Sequence, residues 1–171
     1  LDLKNLQSRA SRTTDKGWIT RYKNELRKLE SRLSNELPAK WRNGEMLTEL
    51  GDTYAELGDF EEAILRYREA LAKSGPRERV PIRTVEQLAN LEGRFAVQLS
   101  LPDKKGEPRA RSERLKPEEL LAKAQERLEL LLKLAPTAER YALLGSYFKR
   151  RAITQRGDET TRNKALGDAE A

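Results

Sequence analysis

The chain has 171 residues with 34 Lys+Arg against 28 Asp+Glu, a formal charge of +6, and 36% of its residues are charged. That is enough for one domain with a genuine core, and the absence of His and Cys excludes imidazole bases, thiol nucleophiles, disulfides and Cys/His zinc sites. Ala, Leu, Glu, Lys and Arg dominate, aromatics make up 6%, and no run approaches the length of a membrane span, so an all-α, soluble, cytoplasmic protein is expected. The first residue is Leu1 and the only methionine is Met46, which fits a segment of a longer protein.

In chain order, Trp18, Ile19, Tyr22, Leu26, Leu29 and Leu33 recur at helical spacing and predict a helix over 15–33, interrupted by Asn35, Pro38 and the 41–44 stretch. Met46, Leu47, Leu50, Tyr54 and Leu57 predict a second helix over 45–57, stopped by Gly58 in a left-handed conformation. Asp59 and Glu62 have capping-box spacing for a third, with Phe60, Ala63, Ile64, Tyr67, Ala70 and Leu71 inward, ended by Gly75 and Pro76. Thr84 and Gln87 suggest the cap of a fourth, which buries Val85, Leu88, Leu91, Phe95 and Leu99. The Lys-, Arg- and Pro-rich segment 102–116 has almost nothing apolar to anchor it and reads as an exposed loop. Pro117 with Glu118 and Glu119 opens a fifth helix through Leu120, Leu121, Ala124, Leu128, Leu131, Leu132 and Leu134. Thr137 can cap a sixth over 138–154, with Tyr141, Leu144, Tyr147, Phe148 and Ile153 inward, and a weakly apolar stretch, 159–170, follows.

An internal repeat is present. In a 34-residue unit numbered from Gly44, Leu47, Leu50, Gly51, Tyr54, Gly58, Ala63, Tyr67 and Ala70 occupy positions 4, 7, 8, 11, 15, 20, 24 and 27. This resembles the tetratricopeptide repeat (TPR), with Gly75 where that pattern has proline. Tyr141, Leu144, Gly145 and Phe148 occupy positions 4, 7, 8 and 11 of a partial last unit, whose position 20 is Gly157. Val85, Leu88 and Ala89, followed by Ala124, Leu128, Leu131 and Pro136, match a middle unit split by the 102–116 loop. The resemblance implies a right-handed TPR-like α-solenoid over 44–171, with units at 44–77, 82–136 and 138–171, preceded by an extra or capping helix within 1–43. Segments 89–91 and 144–151 are also similar to helices of bacterial multidomain proteins of the caspase-like CHAT type.

Such repeats imply a non-catalytic scaffold or regulatory module that binds a protein or peptide on the face made by first helices. The positions this assigns to the groove are Glu45, Thr48, Asp52 and Glu56 in the first unit, Asn90 and Arg94 in the middle unit, and Ser146, Lys149 and Arg150 in the last. Thr48 and Asp52 stand where chaperone-carboxylate TPR domains carry Lys and Asn, which argues against that subclass. Lys149, Arg150 and Arg151 suit an acidic peptide. No catalytic residue, metal ligand or cofactor is expected, since no Ser/His/Asp set can form and no Gly-rich phosphate loop occurs. Two alternatives remain. One is a nucleic-acid-binding helical domain, because Arg21, Lys23, Arg27, Lys28 and Arg32 accompany Trp18, Tyr22 and Trp41. Against it, those aromatics are assigned to a buried stripe, and residues 44–75, with 3 basic and 8 acidic side chains, offer the basic helix an anionic neighbour. The other is an oligomerisation domain that self-associates beside an attached enzyme.

Overall fold

The computed structural model describes residues 15–36, 42–75, 79–101, 112 and 114–155, together with Ser8. Among these residues the chain is all-α, with helices α1 (Lys16–Glu36), α2 (Gly44–Glu56), α3 (Phe60–Lys73), α4 (Ile82–Ser100), α5 (Pro117–Leu134) and α6 (Ala138–Thr154). None is long and apolar enough to cross a membrane. Trp41, most of the 102–116 loop and the 159–170 stretch lie outside the described residues. Internal contacts divide the chain into two compact units, Leu1–Thr84 and Val85–Ala171. The N-terminal helix, expected as an extra or capping helix, lies in the same unit as α2 and α3.

In the first unit, α1 begins where Asp15 Oδ1 accepts the Gly17 and Trp18 amides at 2.7 and 3.3 Å. Asn43 caps α2 by accepting the Met46 amide at 2.9 Å. Gly58, at φ +67°, turns the chain after α2, a conformation glycine adopts without steric cost. The short link folds α3 back onto α2, and the closest approach is at Gly51: a Cβ there would lie 2.7 Å from two ring carbons of Tyr67. Leu47, Leu50, Tyr54, Ala63, Ile64, Tyr67 and Ala70 are buried around this contact, and Leu26 joins them from α1. The missing side chain at Gly51 thus lets the Tyr67 ring lie against the α2 backbone, and Ala63 and Ala70 of α3 are fully buried.

Three expectations are corrected in this unit. Asp59 sits at the N-cap of α3 but its carboxylate does not cap it. It instead takes Arg27 at 2.8 Å and Lys23 at 3.9 Å from the basic helix. Thr84 is not a cap either, because α4 starts two residues earlier and Thr84 is buried with its hydroxyl 3.1 Å from that of Thr48. Trp18 leaves the buried stripe and is 45% exposed, with Tyr22 tilted beside it and the Arg21 guanidinium 5.1 Å above its ring.

In the second unit, Leu88, Ala89, Leu91, Phe95 and Ala96 of α4 pack in the core, as do Leu120, Leu121, Ala124, Leu128 and Leu131 of α5 and Tyr147 and Ala152 of α6. Pro117 is in the first turn of α5, and Thr137 caps α6 by accepting the Arg140 amide at 3.3 Å. The loop does have an apolar anchor at its end: Leu115 is buried, and its amide donates to Ser112 Oγ at 3.0 Å. Leu134, Tyr141 and Ile153, expected inward, are exposed instead.

Candidate functional site

The first-unit residues assigned to a groove take different roles. Glu45 and Glu56 are exposed. Thr48 is buried, its hydroxyl donating back to the Gly44 carbonyl at 2.8 Å and meeting Thr84, so it is a packing residue with no surface to offer a ligand. Asp52 is half-buried and accepts the Tyr67 hydroxyl, and Arg83 Nη2 donates to its other oxygen at 3.3 Å. Burial and the Asp52 carboxylate both push the Tyr67 phenol well above its ordinary pKa. Asp52 therefore holds the ring that Gly51 accommodates, and its replacement would disturb packing before it disturbed a ligand.

In the second unit, three assigned residues converge. Arg150 Nη1 donates to Asn90 Oδ1 at 2.8 Å and more loosely to the Asn90 carbonyl at 3.4 Å. The absent side chain of Gly93 makes room for this reach, since a Cβ there would lie 3.3 Å from Arg150 Cδ. Asn90, Gly93 and Arg94 are spaced three and four apart and share one face of α4. Burial, and then the Arg94 charge, hold the Arg150 guanidinium below the usual arginine value. Arg150 is thus oriented by neutral oxygens of α4. Ser146 is half-buried on α6, and Lys149 is exposed beside Arg150.

The sequence reading missed the ion pairs that fix these elements. Arg140, nearly buried, donates through Nε to Glu86 at 2.9 Å and through Nη1 to the Leu131 carbonyl at 3.2 Å, with the Ala135 carbonyl also within reach. Arg127 reaches the fully buried Glu92 at 2.9 Å. The two pairs tie α4 to the α5–α6 hairpin and set the face that carries Asn90 and Arg150. Helical spacing alone marks Glu86 and Arg140 as surface positions; nothing local signals that one lies opposite the other.

A second cluster, around Glu30 in the first unit, joins α1 to its neighbours. The Tyr54 hydroxyl donates to Glu30 Oε2 at 2.8 Å, Arg66 Nε lies 2.6 Å from Oε1, and Arg42 Nη2 donates to Oε1 at 3.3 Å. Arg42 also donates to Glu69 at 2.7 and 2.8 Å, a two-point pairing. Hydrogen bonding to Arg42 lowers the Glu69 pKa, and burial with the Glu30 contact raises that of Tyr54. A cleft of about 430 Å³ opens beside this cluster. Its charges pair with one another, as expected of a structural clamp.

Among the described residues no group of three or more acidic side chains is placed to hold a metal ion. Comparison with protein-family models, with curated proteins and with solved structures finds no match to this chain.

Proposed function

We propose that the chain is a non-catalytic, TPR-like peptide-binding module and that its second unit recognises an acidic stretch of a partner through Arg94, Lys149 and Arg150. The observation that carries this reading is the meeting of Arg150 with Asn90 beside Arg94. All three belong to the expected ligand face, from two different repeats, and Arg150 bonds Asn90 one helical turn from Arg94. An incoming carboxylate would pair with the half-buried Arg150 guanidinium, which burial and then the Arg94 charge hold below the usual arginine value. The repeat reading draws further support from Gly51 against Tyr67, the close helix crossing that the small-residue pattern requires.

Fluorescence anisotropy with labelled hexaglutamate and hexaglutamine peptides tests the proposal. Hexaglutamate binding in low salt is expected, with little binding of hexaglutamine. Arg94→Glu and Lys149→Glu should each weaken it about fivefold or more while the thermal midpoint stays put. Equal binding of both peptides, or unchanged hexaglutamate affinity in both variants, would overturn the assignment. The same assay with a duplex DNA of equal charge separates this reading from the nucleic-acid alternative, which predicts the tighter complex with DNA.

A further inference from the structure

The outer face of α1 carries charges that the first unit does not use. Arg21, Asn24, Lys28, Ser31, Arg32 and Asn35 are all exposed, and their spacing of three and four puts them on one side of the helix. Asp59 takes Lys23 and Arg27 from a neighbouring stripe. Arg21 pairs with Glu25 of its own helix at 3.2 Å, and Lys28 and Arg32 make no ion pair among the described residues. Next to Arg21, Trp18 leaves much of its indole open, with the guanidinium 5.1 Å above the ring. From Trp18 to Arg32 the face runs about 21 Å. The two features expected to tie up this helix, a buried aromatic stripe and an anionic neighbour, thus hold for its inner side alone.

Charge and shape together select the partner. A row of cations beside one exposed ring fits a chain of anions that also carries flat, unpaired rings. An acidic peptide brings the charge and nothing for the indole to stack on. An anionic membrane needs a broad apolar face, whereas none of Ile19, Leu26, Leu29 and Leu33 is exposed. In a duplex the bases already stack on one another, so the indole gains no partner there. We propose that the outer face of α1 binds single-stranded nucleic acid: Arg21, Lys28 and Arg32 hold phosphates, and a base stacks on Trp18 beside the Arg21 guanidinium. Asn24, Ser31 and Asn35, neutral and exposed between the cations, supply hydrogen bonds to sugar and phosphate. The proposal concerns the first unit and is independent of the peptide-binding reading, which rests on the second.

Fluorescence anisotropy of the full chain with labelled dodecathymidylate tests it, beside dodecauridylate, a duplex DNA with the same number of phosphates, and vesicles of phosphatidylcholine and phosphatidylserine. Both single strands should bind alike at low salt, because they share phosphates and base faces, and more tightly than the duplex. Three phosphate contacts on a single strand give a slope of about −2 for the logarithm of the association constant against that of salt, and Lys28→Gln should reduce it by about 0.7. Trp18→Ala should weaken dodecathymidylate about tenfold, Trp18→Phe much less, and Trp18→Ala should leave hexaglutamate affinity as it is, which keeps the two readings apart. Thermal midpoints near that of the parent chain establish that the variants fold, since all of these positions are exposed. No binding of either single strand at low salt, duplex bound as tightly as single strand, unchanged affinity in Trp18→Ala, or tighter association with the anionic vesicles would each overturn the proposal.

Discussion

Gly51→Ala adds one methyl group at the tightest point of the first unit. The new Cβ would lie 2.7 Å from Cδ1 and Cε1 of Tyr67 and 3.1 Å from Cγ. Carbon atoms in good contact sit roughly 3.5–4.0 Å apart, so the ring must withdraw by about 1 Å. It has little room to do so, because Tyr67 is buried and its hydroxyl is held by Asp52. Overpacking of this kind costs roughly 1–3 kcal/mol, while alanine gains up to about 1 kcal/mol over glycine inside a helix. The net expectation is a loss of about 1–2 kcal/mol, seen as a fall of a few degrees in the thermal midpoint by circular dichroism and a lower urea midpoint at unchanged slope. In a Tyr67→Leu background the same substitution should become neutral or stabilising, because the obstructing ring is gone and the helix preference remains. A Gly51→Ala protein as stable as the parent, or an equal penalty in both backgrounds, would refute the close-packing argument.

Other substitutions probe the glycine turn and the ionic clamp. Gly58→Ala forces a Cβ into a left-handed residue and should cost about 1–2 kcal/mol, whereas Gly93→Ala meets only the flexible stem of Arg150 and should change stability by less than about 1 kcal/mol; urea titration distinguishes the two. Glu30→Ala leaves Tyr54 and Arg66 without their shared carboxylate and should destabilise the first unit by about 3–5 kcal/mol, with unfolding followed by Trp18 fluorescence. A loss below about 1 kcal/mol would reduce the cluster to ordinary surface charge. The Tyr54 and Tyr67 phenols ionise less readily in the folded chain than in the unfolded one, so their contribution is intact below about pH 10 and is lost as pH rises beyond it. Thermal melts from pH 9 to 11.5 should show this decline, and Tyr67→Phe should flatten it. Glu69 has the opposite sign: its lowered pKa stabilises above the ordinary glutamate range and the gain disappears as pH falls through it, an effect that Arg42→Gln should remove from acid melts.

Periodicity, the Gly58 stop, Pro117 and Thr137 sufficed to read the six helices from the sequence, because each depends on neighbours within about four residues. The same locality explains why Gly51 was legible as a close-contact position and Ala63 and Ala70 as buried ones: a helix pair joined by three residues has almost one way to fold back. Charges and hydroxyls followed a different rule. Asp59 and Thr84 have the side chains of caps, yet one is drawn to Arg27 and Lys23 of α1 and the other to Thr48 of α2, partners 36 or fewer residues away that no local spacing marks. At the candidate site, composition and repeat position already singled out Asn90, Arg94 and Arg150. Their meeting depended on α6 lying against α4, held there by Glu86 and Arg140 across 54 residues. The sequence by itself thus determined the helices, their apolar stripes and the glycine and alanine positions that let α2 and α3 nest, since these are properties of short stretches of backbone. Which polar side chain became a cap, a clamp or an oriented guanidinium was decided only by the tertiary structure, because a hydrogen bond or ion pair is set within a few ångströms of a partner whose distance along the chain carries no information about its distance in space.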